Sequence, residues 1–145
     1  VDRLGSRIMN QPMTGSARRQ SYEFAPTSRM TNTFFEKGTD KLEDMIASIQ
    51  HGYMLFETSN GMEDPKNWAI QCVAQYGIEI VDGKLTDNYV APVVMSGYVP
   101  DLLKSISMIS DDFEISGSGL CGKGYKEWVR VSDGGPALKV RVKLG

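Results

Sequence analysis

Histidine and cysteine are scarce in this 145-residue chain: one histidine, His51, and two cysteines, Cys72 and Cys121. That scarcity removes whole classes of chemistry. No H-E-x-x-H, C-x-x-C, P-loop or G-x-S-x-G pattern occurs, and any serine triad would have to recruit His51. Two cysteines so far apart do not make the framework of a secreted disulfide protein, so a reducing cytoplasm is the expected compartment. No run of about 18 apolar residues is present to span a bilayer. The opening "VDRLGSRIMN" carries charge but no apolar segment of the kind a signal peptide needs. Net charge is only −2, so no overall field draws nucleic acid or an anionic membrane. The chain begins at Val1 rather than at methionine, as expected of a processed product or a piece of something longer.

What is present reads as globular. The apolar fraction is 41% and the charged fraction 23%, and the length suits a single domain over 1–145. Leu4, Ile8 and Met9 give a rough helical spacing that Pro12 should stop. Residues 13–33 are polar and broken, an extended segment with "SYEF" as a candidate edge strand and Arg18-Arg19 as a solvated turn. The clearest helix is "TDKLEDMIASIQH", 39–51, where Leu42, Met45, Ile46 and Ile49 form one apolar stripe. Asp40 and Glu43 suit a capping box there, and Gly52 a left-handed stop. Each stripe residue is worth roughly 1.5–3 kcal/mol of gross transfer energy on burial.

A strand-rich stretch follows. "YMLFET", 53–58, is a short strand, and "NGMEDPKN", 60–67, reads as a turn. "WAIQCVAQYGIEIV", 68–81, and "KLTDNYVAPVVMSGYV", 84–99, flank Asp82-Gly83, a strong hairpin signal. Pro92 marks a bulge or an edge. "PDLLKSISMI", 100–109, is a second amphipathic helix with Pro100 at its first position. Two alternating strands around Val129–Val131 and Leu138–Val142 flank an Asp-Gly-Gly-Pro turn. Two amphipathic helices and about seven hairpin-connected strands argue for an α+β fold dominated by an antiparallel sheet, with closure into a barrel as one way to finish it.

Chemistry concentrates at few positions. His51 would end a helix, where a cation is mildly favoured. Asp111, Asp112 and Glu114 are either acid–base or Ca²⁺ carboxylates, or a turn facing water. Met45, Met54, Met62, Met95 and Met108 read as core filler. Cys72 lies inside a strand and reads as packing. Cys121 sits among Gly117, Gly119, Gly122 and Gly124, on what reads as a tightly bent loop. Two readings of Cys121 stand side by side: a nucleophile or soft zinc ligand, or an incidental cysteine on a flexible loop.

At this point the residues resemble a family. "GSARRQSYEF" (15–24) with "SRMTNTFF" (28–35), and the closing "GLCGKGYKEWVRVSDGGPALKVRVKLG", look like the C-terminal part of the TldD/PmbA proteins. An "HGY" at 51–53 and an "SGY…ISM" segment fall in the same order between them. The resemblance covers essentially the whole chain. It implies a zinc metallopeptidase acting on peptides or unfolded polypeptides, working with a paralogous TldE/PmbA-type subunit or as a homo-oligomer. Older names call such proteins modulators of DNA gyrase. The family's zinc is held by two histidines of an H-E-x-x-x-H helix and by one cysteine, on which Cys121 falls. That cysteine places the chain on the TldD side.

The chain departs from the family in lacking H-E-x-x-x-H, and with it the general-base Glu; Tyr125 stands near the family's Gln. The resemblance therefore implies an incomplete and inactive C-terminal domain, with no catalytic residue of its own and zinc bound only in the complete protein. Its glycines are expected to bend a loop that brings Cys121 to the metal. A second role is strand addition by a peptide at Gly119, Leu120 and Gly122, against simple turn glycines. The alternative function is a non-catalytic peptide-binding or assembly module. The expected neighbours are an N-terminal domain of the same protein, the partner subunit and a peptide, with no nucleic acid and no membrane.

Overall fold

The computed structural model describes residues 1–123 and 127–145. In chain order the helices are α1 (Arg3–Met9), α2 (Leu42–Ala47) and α3 (Val99–Ser105). The strands are β1 (Ala17–Arg18), β2 (Thr27–Ser28), β3 (His51–Asp64), β4 (Ala69–Val81), β5 (Lys84–Val90), β6 (Val93–Tyr98), β7 (Met108–Ile109), β8 (Glu114–Lys123), β9 (Glu127–Gly135), β10 (Leu138–Lys139) and β11 (Lys143–Leu144). Every described strand pair is antiparallel, so the fold is α+β and mainly antiparallel, as the hairpin-rich sequence predicts. No described sheet closes into a barrel. The chain divides into two compact units, one of Val1–Glu36 with Phe113–Gly135, the other of Lys37–Asp112 with Pro136–Gly145.

The second unit is organised by β4. Its apolar positions alternate, and Ala74 and Ile80 are shut off from solvent. One edge of β4 pairs with β3 from Ala69 to Val81. The other edge is shared end to end, with β6 against Ala69–Ala74 and β5 against Gly77–Val81. The break between them falls at Ala91–Pro92, where proline has no N–H to give the ladder. Asp82 and Gly83 close the β4–β5 hairpin with φ of 47° and 75°, the pattern of a type I′ turn. Glu79 of β4 ties three strands together: its carboxylate accepts from Asn88 Nδ2 at 2.7 Å and lies 3.2 Å from His51 Nε2.

Several elements differ from the sequence reading. Helix α2 is half the expected length: Leu42, Met45 and Ile46 are still its inward stripe, and Ile49, half-buried, falls beyond its end. Lys41, not Asp40, sits at the cap. The Asp40 carboxylate instead accepts from the Ile109 N–H at 2.9 Å, and the next residue, Lys41, pairs with Asp111. Gly52 stops nothing, because His51 has already paired with Val81 in β3. His51 is thus a strand residue, and the helix-dipole argument for it fails. Strand β3 also runs through the expected turn at 60–64. The reversal comes at 65–68, where Asp64 Oδ1 accepts from the Lys66 and Asn67 amides and Oδ2 from Asn67 Nδ2.

Helix α3 begins at Val99 and places Pro100 in its first turn. It stops at Ser105 because Met108 and Ile109 are taken into β7, opposite Lys139 and Leu138. Asp133–Gly135 is no hairpin turn but the end of β9, paired with Glu114–Ser116. The "SYEF" stretch forms bends and turns between β1 and β2 rather than a strand. Helix α1 forms with Asp2 as its N-cap, but Asn10 in the left-handed region ends it before Pro12.

Two predictions follow from this unit. Gly83 has positive φ and a Cβ there would sit 2.6 Å from the Ala47 carbonyl oxygen, so Gly83→Ala should cost on the order of 2 kcal/mol. Gly97→Ala, with open space around it, should be neutral in the same denaturant titration. The Glu79 carboxyl is held below its ordinary pKa by Asn88 first and then His51. A depressed folded-state pKa adds stability above the unfolded value that is lost as pH falls through the folded one. Glu79→Gln should therefore flatten the acid limb of the stability–pH curve below about pH 4, read by melting temperature against pH.

Candidate functional site

The glycine-rich stretch around Cys121 is strand, not loop. Cys121 lies near the end of β8, directly opposite Val129 of β9. None of Gly117, Gly119 and Gly122 adopts positive φ, so backbone bending is not why they are there. Two of them make room across the hairpin. A Cβ on Gly122 would sit 2.8 Å from the Trp128 ring, and one on Gly119 would sit 2.9 Å from both Val131 and the Asp133 carboxylate. Gly124 and Tyr125 lie outside the described residues.

Register divides the hairpin into two faces. Gly119, Cys121 and Lys123 share a side with Val131, Val129 and Glu127, and the two valines are buried. Leu120 and Gly122 share the other side with Arg130 and Trp128, where Leu120 is 57% exposed. Cys121 is half-buried and makes no disulfide. Cys72 is also free, but burial in β4 pushes its thiol pKa up, consistent with packing.

The segment 16–32 runs against this hairpin. The Trp128 amide donates to Gln20 Oε1 at 2.7 Å and the Ser132 amide to Asn32 Oδ1 at 2.9 Å. The Arg130 carbonyl accepts from Arg18 Nη2 at 2.5 Å. Residues 128, 130 and 132 thus aim their main-chain groups away from β8, and three side chains meet them there. In an antiparallel pair the hydrogen-bonding sense alternates along the strand. Leu120 and Gly122, opposite Arg130 and Trp128, accordingly aim their own N–H and C=O groups away from β9, onto the outer edge of β8. Gly119 and Cys121 turn theirs toward β9, where the Cys121 carbonyl also meets Arg29.

Arg29 reaches the same place from the other side. Its side chain is fully buried, and Nη2 donates to the Cys121 carbonyl at 2.5 Å and to the Glu127 carbonyl at 3.1 Å. The Glu127 carboxylate stands 3.9 Å from Nη1. Lys123 Nζ donates to the Ser28 carbonyl at 2.9 Å. Arg18, read from sequence as half of a solvated turn, bonds the Met30 and Arg130 carbonyls instead. The sequence reading assigned no role to Arg29, Gln20 or Asn32. The signal available was a polar segment rich in fork-shaped and amide side chains facing a strand with nothing else to pair its edge.

Other candidates are spoken for. The His51 ring, in the other unit, engages Glu79. Asp111 pairs with Lys41, whose contact holds its carboxyl below the ordinary range. Among the described residues no three His, Cys, Asp or Glu side chains gather as a metal site. No described helix is long and apolar enough to cross a membrane. As one donor, Cys121 suits a soft metal; as a complete site, the described residues do not.

A family model described as the PmbA/TldA metallopeptidase C-terminal domain matches residues 1–143. The chain is 36% identical, over its whole length, to a zinc metalloprotease TldD homolog of Saccharolobus solfataricus, and covers 32% of that protein. It is 33% identical over 96% of its length to a metalloprotease TldD homolog of Haemophilus influenzae, covering 29% of it. The fold is that of TldE from Thermococcus kodakarensis, with a TM-score of 0.67 over 99% of this chain and 30% of that one, at 20% identity. The chain thus spans about a third of the length of these relatives. It belongs to the PmbA/TldA metallopeptidase C-terminal domain family.

Proposed function

We propose that this chain is the C-terminal part of a zinc metallopeptidase acting on peptides or unfolded polypeptides, and that Cys121 contributes one thiolate to a metal whose other ligands lie on a different segment. The observation that carries the reading is the position of Cys121: half-buried, and fixed on a paired strand whose end is gripped by Arg29. Membership of a metallopeptidase family supports it. A bound zinc would supply Lewis acidity and a lowered pKa for water. The chain's own contribution is the thiolate and the surface beside it.

That surface suits an extended peptide. Leu120 and Gly122 present main-chain donors and acceptors along the outer edge of β8, and Gly119 opens the same segment with no side chain. A peptide adding itself as a strand would use those groups for affinity. The opposite edge, on β9, is closed by Arg18, Gln20 and Asn32. Many large apolar side chains stay exposed, among them Leu4, Ile8, Trp68 and Tyr89. Together with relatives three times as long, they support burial against the rest of a longer protein or a TldE/PmbA-type subunit.

Two measurements test this. In the complete protein, zinc should be close to one per chain by elemental analysis, and Cys121→Ser should lose most of it. Zinc content unchanged by that substitution would leave the non-catalytic binding module as the better reading. Leu120→Pro removes an edge N–H while leaving the β8–β9 ladder intact. It should weaken peptide binding by about tenfold, one lost hydrogen bond's worth at the upper end, without changing zinc content. Equal peptide affinity in the variant would end the strand-addition idea.

A further inference from the structure

We infer that Arg29 is the positioning residue for Cys121: it sets where the thiol of the proposed metal site stands, without touching the metal or the peptide. The inference rests on the reading of Cys121 as a ligand. It is carried by five contacts that converge on one short segment. The Arg29 guanidinium, with no solvent exposure of its side chain, bonds the carbonyl of Cys121 on β8 and that of Glu127 on β9. It therefore spans the end of the hairpin, joining the residue that carries the thiol to the first residue of the returning strand.

The platform behind it is fixed at three consecutive residues. The Ser28 carbonyl accepts from Lys123, the Arg29 amide donates to the Ser16 carbonyl at 2.8 Å, and the Met30 carbonyl accepts from Arg18 at 3.0 Å. Both bonds come from Nη2, whose two N–H groups lie in the rigid plane of the guanidinium, so with the Arg29 backbone held in this way that plane sets the position of both carbonyls. Cys121 has one rotatable bond between its backbone and its sulfur, so fixing the backbone limits the sulfur to three staggered positions. A ligand set drawn from separate segments needs this, since the thiol must be in place before the metal arrives. Lysine also offers several N–H groups on one nitrogen, but its ammonium rotates freely on a flexible stem and fixes no plane for the two carbonyls.

The test uses the complete protein, stripped of metal and loaded with Co²⁺, with Arg29→Lys, Arg29→Ala and Cys121→Ser compared to the parent. The readouts are metal dissociation constant and the near-ultraviolet thiolate-to-cobalt absorption band. Arg29→Lys, which keeps the buried charge, should weaken metal binding about 10- to 100-fold, the usual effect of losing an outer partner of a ligand. It should also shift or weaken the thiolate band, while melting temperature falls far less than in Arg29→Ala. Where Arg29→Ala is insoluble, the lysine variant decides alone. A parental affinity and band in Arg29→Lys, with both lost in Cys121→Ser, would overturn the positioning role and leave the ligand reading standing. Affinity and band retained in Cys121→Ser would overturn both.

Discussion

The first unit depends on a buried positive charge. A guanidinium taken out of water costs several kcal/mol unless its donors are met, and removing one partner of such a group typically costs about 3–5 kcal/mol. Arg29 meets this demand in part: Nη2 bonds two carbonyls on two strands and the Glu127 carboxylate stands 3.9 Å from Nη1, while Nε and Nη1 have no hydrogen-bond partner among the described residues. The β8–β9 hairpin cannot open at that end without stranding the charge. This matters because, among the described residues, Val129 and Val131 are the buried apolar side chains of the unit. Arg18, Gln20, Asn32 and Lys123 do for this hairpin what an apolar core does elsewhere, fixing register through main-chain groups.

The second unit works by the opposite means. Its long central strand, β4, is paired on both edges, and the side chains that alternate along it reach the core at Ala74 and Ile80. Polar groups there close the margins: Asp64 the turn after β3, Glu79 the junction of β3, β4 and β5. One chain thus holds a unit built on apolar alternation and a unit built on polar ties. Sequence reading is well equipped for the first kind and poorly for the second.

The difference shows residue by residue. The inward stripe of α2, the Asp82-Gly83 hairpin and the burial of Val129 and Val131 were legible because each is a local pattern with a period or a turn chemistry. The ends of α2 and α3 were not, because residues far along the chain decide them: Val81 claims His51 for a ladder, and Leu138 claims Ile109. Asp40 looks like a cap from its neighbours, yet its carboxylate is taken by Ile109, 69 positions away. At the site, Cys121 stood out by context and by resemblance, whereas Arg29 could not. An isolated arginine in a polar segment gives no local sign that its side chain will be buried.

The misreading of β8 has a physical cause that bears on the site. A strand is recognised by the side chains it alternates, and "SGSGLCG" has almost none to alternate. Its strand character comes from β9, whose larger side chains fill the space the glycines leave. The same feature settles what kind of edge β8 presents. A flat apolar edge invites uncontrolled pairing. This edge is short, flanked by Lys123, and nearly bare of side chains, so an approaching backbone meets main-chain groups and little steric resistance. Because β9's own outer edge is taken up by side chains of the same unit, the proposed strand addition would be confined to one side, the side of Leu120 and Gly122. On the proposed reading, the carrier of the thiol and the edge that would meet a peptide are one strand, so the contact that places the first would also orient the second.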